Sequence, residues 1–323
     1  MAGETQLSSL SVDQVAFDRL AYFALRSELL FDQAADVQPV AQAMPGTGVT
    51  FTIFADIAAA TATLNEVTDV TPVALSDSQV TVTLAEYGNA VVTTAKLRGT
   101  AFLDVDSAAA NIIGYNAGDS IDQVVREVLA GGDNVAYATG GASTPTARVD
   151  MAVDDILVAD DVRKQVAALR GANVATFEGS YMGFIHPDVS YDFRSATDVA
   201  AWRTPANYVN PEGIYNGEIG KFESVRFIET ARAKVFTNAF NGSGAPGTGD
   251  SYATLIMGRQ ALAKAYSVQD GNGATPKIVR GNVTDVLMRL QPMGWYWLGG
   301  YGRFREASLR RIESASSIGA NGA

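Results

Sequence analysis

Cysteine is absent from the 323 residues. That excludes disulfides, thiolate catalysis and zinc–thiolate sites, and it fits folding in a reducing cytosol. Histidine occurs once, at His186. No apolar run is long enough to span a bilayer. The first residues, MAGETQLSSLSVDQ, lack a basic region and a continuous apolar segment, so a secretory signal is not expected. Basic residues are scarce: 24 against 35 acidic ones, a formal charge of −11. Such a surface does not bind nucleic acid or acidic membranes as a whole, although a local basic patch stays open. Glycine and alanine are plentiful, but without a collagen-like period, and no internal repeat of fixed length is found.

What is present reads as mixed helix and strand, with length enough for two or three domains. Residues 1–46 form an arm with helical pieces. Val12, Val15, Ala16, Arg19 and Leu20 follow helical spacing behind Ser11 as N-cap, and Phe23, Leu25, Leu29, Leu30 and Phe31 continue an apolar face. Val49, Phe51 and Ile53, and later Val80, Val82 and Leu84, alternate with threonines and other polar residues. This predicts two half-buried strands closing a long excursion over residues 47–98. Its middle, Ala55 to Ser78, is small, polar and acidic. A two-stranded ribbon is marginal alone and must lean on something.

Two helices are predicted next, over Asp104–Tyr115 and from Ser120 onward, the second with Ile121, Val124, Val125, Val128 and Leu129 on one face. A further helix starts at Asp160 and Asp161 and ends at Gly171, with acids first and bases last. Tyr181–Ile185 reads as a buried strand stopped by Pro187, and Phe222–Thr230 as an alternating one. Tyr252–Tyr266 is predicted as a helix carrying Leu255, Ile256, Leu262 and Tyr266.

Three features invite a chemical reading. His186 can serve as a general base, but no serine stands in a nucleophile-elbow setting, so it reads as a structural histidine at a strand end. Asp154, Asp155, Asp160 and Asp161 lack the ligand spacing and glycine turn of a calcium loop, so they read as helix-end residues. NGSGAPGTGD (241–250) lacks the Lys-Ser/Thr ending of a phosphate-binding loop and reads as a flexible surface loop. No catalytic, cofactor-binding or metal residue is therefore assigned.

Order and wording of blocks add a resemblance. An apolar strand ends in His186-Pro187-Asp188, followed by Tyr191-Asp192-Phe193-Arg194, Trp202 and GEIGKFESVRFIET (217–230); the chain closes with GWYW (294–297) and RRIES (310–314). This resembles the major capsid proteins of tailed bacteriophages, in the group related to the coat protein of an N4-like podovirus. One departure is Asp285-Val286-Leu287, where relatives often have Asp-Pro-Leu. The resemblance spans most of the chain from about residue 100 on, and before that it rests on topology.

It implies an α+β tailed-phage capsid fold: an N-terminal arm (1–46), an extended E-loop hairpin (47–98), a peripheral domain with a spine helix (99–150), an axial domain (151–277) and a return to the peripheral domain (278–323). It implies a non-enzymatic head protein forming hexamers and pentamers that close as an icosahedral shell around double-stranded DNA. Portal and scaffold or decoration proteins would be partners; a membrane would not. The virion would be its location, after assembly in the bacterial host cytoplasm. The rival readings are a small-ligand α+β enzyme and another self-assembling virion part such as a tail tube. Some capsids of this fold join a hairpin lysine to a neighbour's asparagine. Here Val49 to Ala95 contains no lysine, and the first is Lys96, so a non-covalent shell is expected. Residues 277–313 carry seven cations against three carboxylates, which suggests ion pairing between subunits or, less directly, contact with DNA.

Overall fold

A computed structural model describes residues 31–34, 36–37 and 48–318, except 55–56, 62, 64–68, 102–104, 142–143, 196–217, 243–244, 268–272, 282–284 and 288. The helix expected behind Ser11 and the Trp202 landmark lie outside these residues.

Thr254 to Met257 is an unbroken buried run within strand β10 (Ala245–Met257). A run buried on both faces belongs in the middle of a sheet. Strand β10 pairs antiparallel with β14 (Leu309–Ser314), β6 (Tyr181–Ile185) and β9 (Val235–Gly242). Beyond β14 lies β5 (Val135–Tyr137); beyond β6 lie β8 (Val225–Glu229) and β7 (Glu218–Phe222), completing seven strands. Side-chain alternation divides the core around this sheet. Phe184, Leu255, Met257 and Leu309 join the cluster that includes helix α2 (Val105–Ala130). Tyr181, Ile185, Ile256 and Ile312 join the opposite one, with helices α3 (Ala159–Gly171) and α4 (Pro187–Ser195).

The second sheet is built on β13 (Leu290–Arg303). Along one edge it pairs with β4 (Ala85–Thr94), which leads into the short helix α1 (Ala95–Thr100). Along the other it pairs with β12 (Lys277–Arg280) and β11 (Leu262–Tyr266), and the two-residue β1 (Asp36–Val37) lies beside β11. Helix α2 connects the sheets. Ile113 and Ala117 pack in one core with Trp295 and Trp297, while Asn116 accepts bonds from Trp295 Nε1 (2.9 Å) and Asn89 Nδ2 (3.3 Å). Toward its other end, Asp119 and Asp122 bind the Arg232 guanidinium, and Glu127 binds Lys234 at 2.7 Å. Both cations belong to the segment between β8 and the start of β9.

Strands β2 (Gly48–Phe54) and β3 (Asp77–Thr83) form a separate antiparallel ribbon. Its base packs through Phe51 and Val82 on Ala263 and Ala265 of β11. Glycines let it approach β13 closely. A Cβ on Gly300 would lie 2.1 Å from the Thr83 carbonyl oxygen, and one on Gly302 would lie 2.7 Å from Val82. No side chain fits there.

Several sequence expectations need correction. Tyr252–Tyr266 is not a helix but the end of β10, a turn at Gly258–Gln260, and β11. A Cβ on Gly258 would meet Val174 at 2.3 Å, and Gln260 has φ 62°. Pairing with β14, β6 and β13 outweighs local helical spacing. The two helices over 104–130 are one, running through Gly114 and Gly118. Ser120 does not cap; its hydroxyl donates to the Asn116 carbonyl at 2.7 Å within the helix. Phe222–Thr230 is broken at Glu223 and Ser224, with φ 47° and 67°, making a tight turn between β7 and β8. Pro187 does end β6, and it also opens α4. Residues 47–98 are not one two-stranded excursion, because 85–94 pair with β13. The 241–250 segment expected as a loop contributes to β9 and β10.

Candidate functional site

Among the described residues no cleft gathers the chemically suggestive side chains. His186 Nδ1 accepts the Asp188 N–H at 3.2 Å, and its ring lies 4.9 Å from Tyr252, whose hydroxyl donates to Asp188 at 3.0 Å. Burial pulls the imidazole below its ordinary pKa, against the fields of Asp188 and Glu229. Burial also raises the Tyr252 phenol, with Asp188 adding to it. Ser190, one turn on, donates to Glu229 and to the Pro187 carbonyl. Three of the four aspartates have separate local tasks. Asp155 accepts the Ala152 N–H, Asp160 pairs with Lys164, and Asp161 accepts from Thr139 and from the Val158 N–H at the start of α3. Among the described residues no three His, Cys, Asp or Glu side chains are grouped to hold a metal.

Four of the seven cations of the basic closing segment form ion pairs within the subunit, three of them with the segment's own carboxylates. Arg280 pairs with Asp106, Arg289 with Asp285, Arg303 with Glu306 and Arg311 with Glu313. Glu313 is wholly buried and also takes a two-pronged bond from Arg148, both distances 2.6 Å. The Arg148 guanidinium in turn covers the Phe236 ring at 3.6 Å. Sequence alone could count these charges but not see that Arg280 reaches Asp106 or that Glu313 also holds Arg148.

The surfaces that remain are apolar. Phe54, Ile57, Val70, Val73 and Leu75 are exposed on the ribbon and the segment beyond its strands, Phe54 by 69% and Leu75 by 70%. A second exposed set lies on the smaller sheet. Strand β12 is exposed at every residue, and Val91, Val92 and Leu287 join it. Gly88, Ala90, Pro292, Gly294, Val279 and Tyr296 line a shallow groove of about 670 Å³ there, together with Lys277. Small residues at paired positions (Gly294 against Ala90) make its floor. Exposed apolar surfaces of this kind mark sites of interaction.

A family model for phage capsid proteins matches residues 6–318. The chain belongs to the phage capsid protein family. This capsid protein is therefore a structural component of the virion shell, and its exposed apolar surfaces belong to a subunit made to associate with copies of itself. Solved structures agree in fold. The capsid of Ralstonia phage GP4 is 14% identical and superposes with a TM-score of 0.77 over 95% of this chain and 96% of that one. The capsid of cyanophage Pam1 is 17% identical, with a TM-score of 0.72 over the full length of both. The acid-stable capsid of Helicobacter pylori bacteriophage KHP30 is 12% identical, with a TM-score of 0.70 over 96% and 98%. No curated protein matches the sequence. The α+β capsid fold expected from the central and closing blocks is the fold observed.

Proposed function

We propose that this chain is the major head protein of a tailed phage. Copies associate into hexamers and pentamers, which close as an icosahedral shell around double-stranded DNA, and the protein has no enzymatic role. Assembly takes place in the bacterial cytoplasm, with a portal and with scaffold or decoration proteins as further partners. The ribbon β2–β3 and its extension act as the E-loop. Helix α2 is the spine of a peripheral domain with β4, β12 and β13, and the seven-stranded sheet is the axial domain.

The ribbon carries this reading. Beyond Phe51 it exposes apolar side chains that its own subunit leaves uncovered. From residue 48 to 95 it holds acids and no lysine or arginine. The groove on the smaller sheet is apolar, with Lys277 in its lining. An apolar ribbon of one subunit laid over the apolar groove of the next would bury both surfaces, with the ribbon's acids near Lys277. Repetition of that contact around a ring closes a capsomer.

The test is negative-stain imaging of the purified full chain over a range of assembly conditions. Closed spheres are expected. Tubes or flat rings would favour a tail component, and a monomer under every condition would favour a different role.

A further inference from the structure

The first described residues of the N-terminal arm are held as a ligand would be. Phe31 is fully buried, its ring 4.7 Å from Phe184, and its backbone N–H donates to Asp122 Oδ1 at 2.9 Å. Next to it, the Asp32 carboxylate accepts two bonds from Lys264 Nζ, both 2.8 Å, and one from the Tyr301 hydroxyl at 2.6 Å. Lys264 is 4% exposed, and Asp32 is its one carboxylate partner among the described residues. Its ammonium also faces the Trp297 and Tyr301 rings at 5.9 and 5.4 Å. A buried ammonium without a counter-charge is costly. An aromatic socket, a cationic clamp and an acceptor for one N–H together make a recognition site for an aromatic–acidic segment.

Tyr301 belongs to the stretch of β13 that seats the ribbon. Its hydroxyl reaches Asp32 from one face of the strand, while Gly300 and Gly302 on the other face meet Thr83 and Val82. Lys264 is paired with Tyr301 in the ladder, and its neighbours Ala263 and Ala265 pack under Phe51 and Val82. Root and ribbon are therefore separated by the thickness of one sheet.

We infer that the cleft formed by Asp122, Phe184, Lys264 and Tyr301 is a binding site for the chain's own Phe31–Asp32 segment, and that its occupancy fixes the seat of the ribbon through β11 and β13. The ribbon's direction is then set by the arm before a neighbouring subunit is met. The inference concerns the isolated subunit, so it stands or falls apart from the proposed shell.

Hydrogen exchange on the full-length, unassembled chain tests it, comparing wild type with Asp32→Asn. This change keeps the shape and removes the charge. Exchange of 31–37 is expected to rise by about tenfold or more, since a charge-assisted clasp is lost. Exchange at 48–51 and 80–83 should rise with it, while β10 and β14 stay protected. Opening of 31–37 with an unchanged ribbon would overturn the coupling. No opening of 31–37 would overturn the clasp, and equal acceleration at β10 and β14 would reduce the effect to general destabilisation. The double variant Asp32→Asn/Lys264→Met removes the stranded ammonium as well. It should regain thermal stability yet keep 31–37 fast; recovery of full protection there would show that the charge pair does not hold the segment.

Discussion

The ribbon β2–β3 and the strand pair β10–β14 are both antiparallel and both rich in alternating or continuous apolar residues, yet they have opposite fates. In β10 and β14, Leu255, Ile256, Met257, Leu309 and Ile312 are covered on both faces by helices of the same chain. In the ribbon, Phe51 and Val82 are covered and Phe54 onward is not. The difference lies in what flanks each pair. Strand β10 has partners on both edges, whereas the ribbon touches the body only at its base. Apolar surface that stabilises a subunit and apolar surface that joins subunits can have the same composition; position relative to the helices separates them.

The comparison predicts the largest losses in the central sheet. Glu313→Ala would leave Arg148 and Arg311 without their shared carboxylate in a buried setting, at a cost of about 3–5 kcal/mol. Phe227→Ala, opening a cavity against Phe193, should cost a similar amount, about 3–5 kcal/mol. Urea unfolding of the unassembled chain measures both. A loss below 1 kcal/mol for either would mean that this sheet is not the stabilising core.

A smaller effect is expected where ribbon meets body. Gly300→Ala forces a Cβ against the Thr83 carbonyl, so β3 must shift; the expected destabilisation is about 1–3 kcal/mol. Exchange at 80–83 should rise more than in β10. Uniform exchange would show that the ribbon base is not seated on the glycines.

Acid gives a graded effect confined to the larger sheet. The folded-state pKa of His186 is depressed below 6.5, so the unfolded chain binds the proton more tightly. The contribution is fully present above pH 6.5 and is lost as pH falls from there through the folded-state value. His186→Asn, whose side-chain oxygen can still accept the Asp188 N–H, should flatten this slope of melting temperature against pH. An unchanged slope would assign the acid sensitivity elsewhere.

The smallest effect on the subunit is expected at the ribbon's exposed residues. Leu75→Asp should change subunit stability by no more than about 0.5 kcal/mol, while sharply lowering the yield of assembled particles. Assembled particles boiled in denaturing detergent should run as one band near 34.0 kDa. A ladder of multiples would reveal a covalent link and point to Lys96 or a lysine outside the ribbon. Salt should loosen particles only modestly, because the ribbon and the groove meet through apolar surface and exposed ion pairs are worth little.

Local pattern made much of this legible. The alternation of Val49, Phe51 and Ile53, the stop at Pro187 and the acids opening α3 each matched the observed element, because neighbours in sequence decide them. The strands at Tyr252–Tyr266 were not legible, since Leu255 and Ile256 satisfy helical spacing equally well and only distant partners such as Ile312 choose between the two. Gly258 was the available signal, a residue placed where Val174 leaves no room for a Cβ. The Arg280–Asp106 pair was hidden for the same reason: the two are far apart in sequence. The groove was hidden too, because it is made of small residues brought together across β4 and β13.

The central claim is that the ribbon's outer part adds reach between subunits and little to the subunit itself. Removing Ala58–Ser76 and joining the strands by a short turn tests it, with melting temperature and electron microscopy read on the same preparation. The account predicts a soluble subunit that melts close to wild type and forms no closed shells where wild type does. A deletion that unfolds the subunit, or one that still closes into shells, would contradict it.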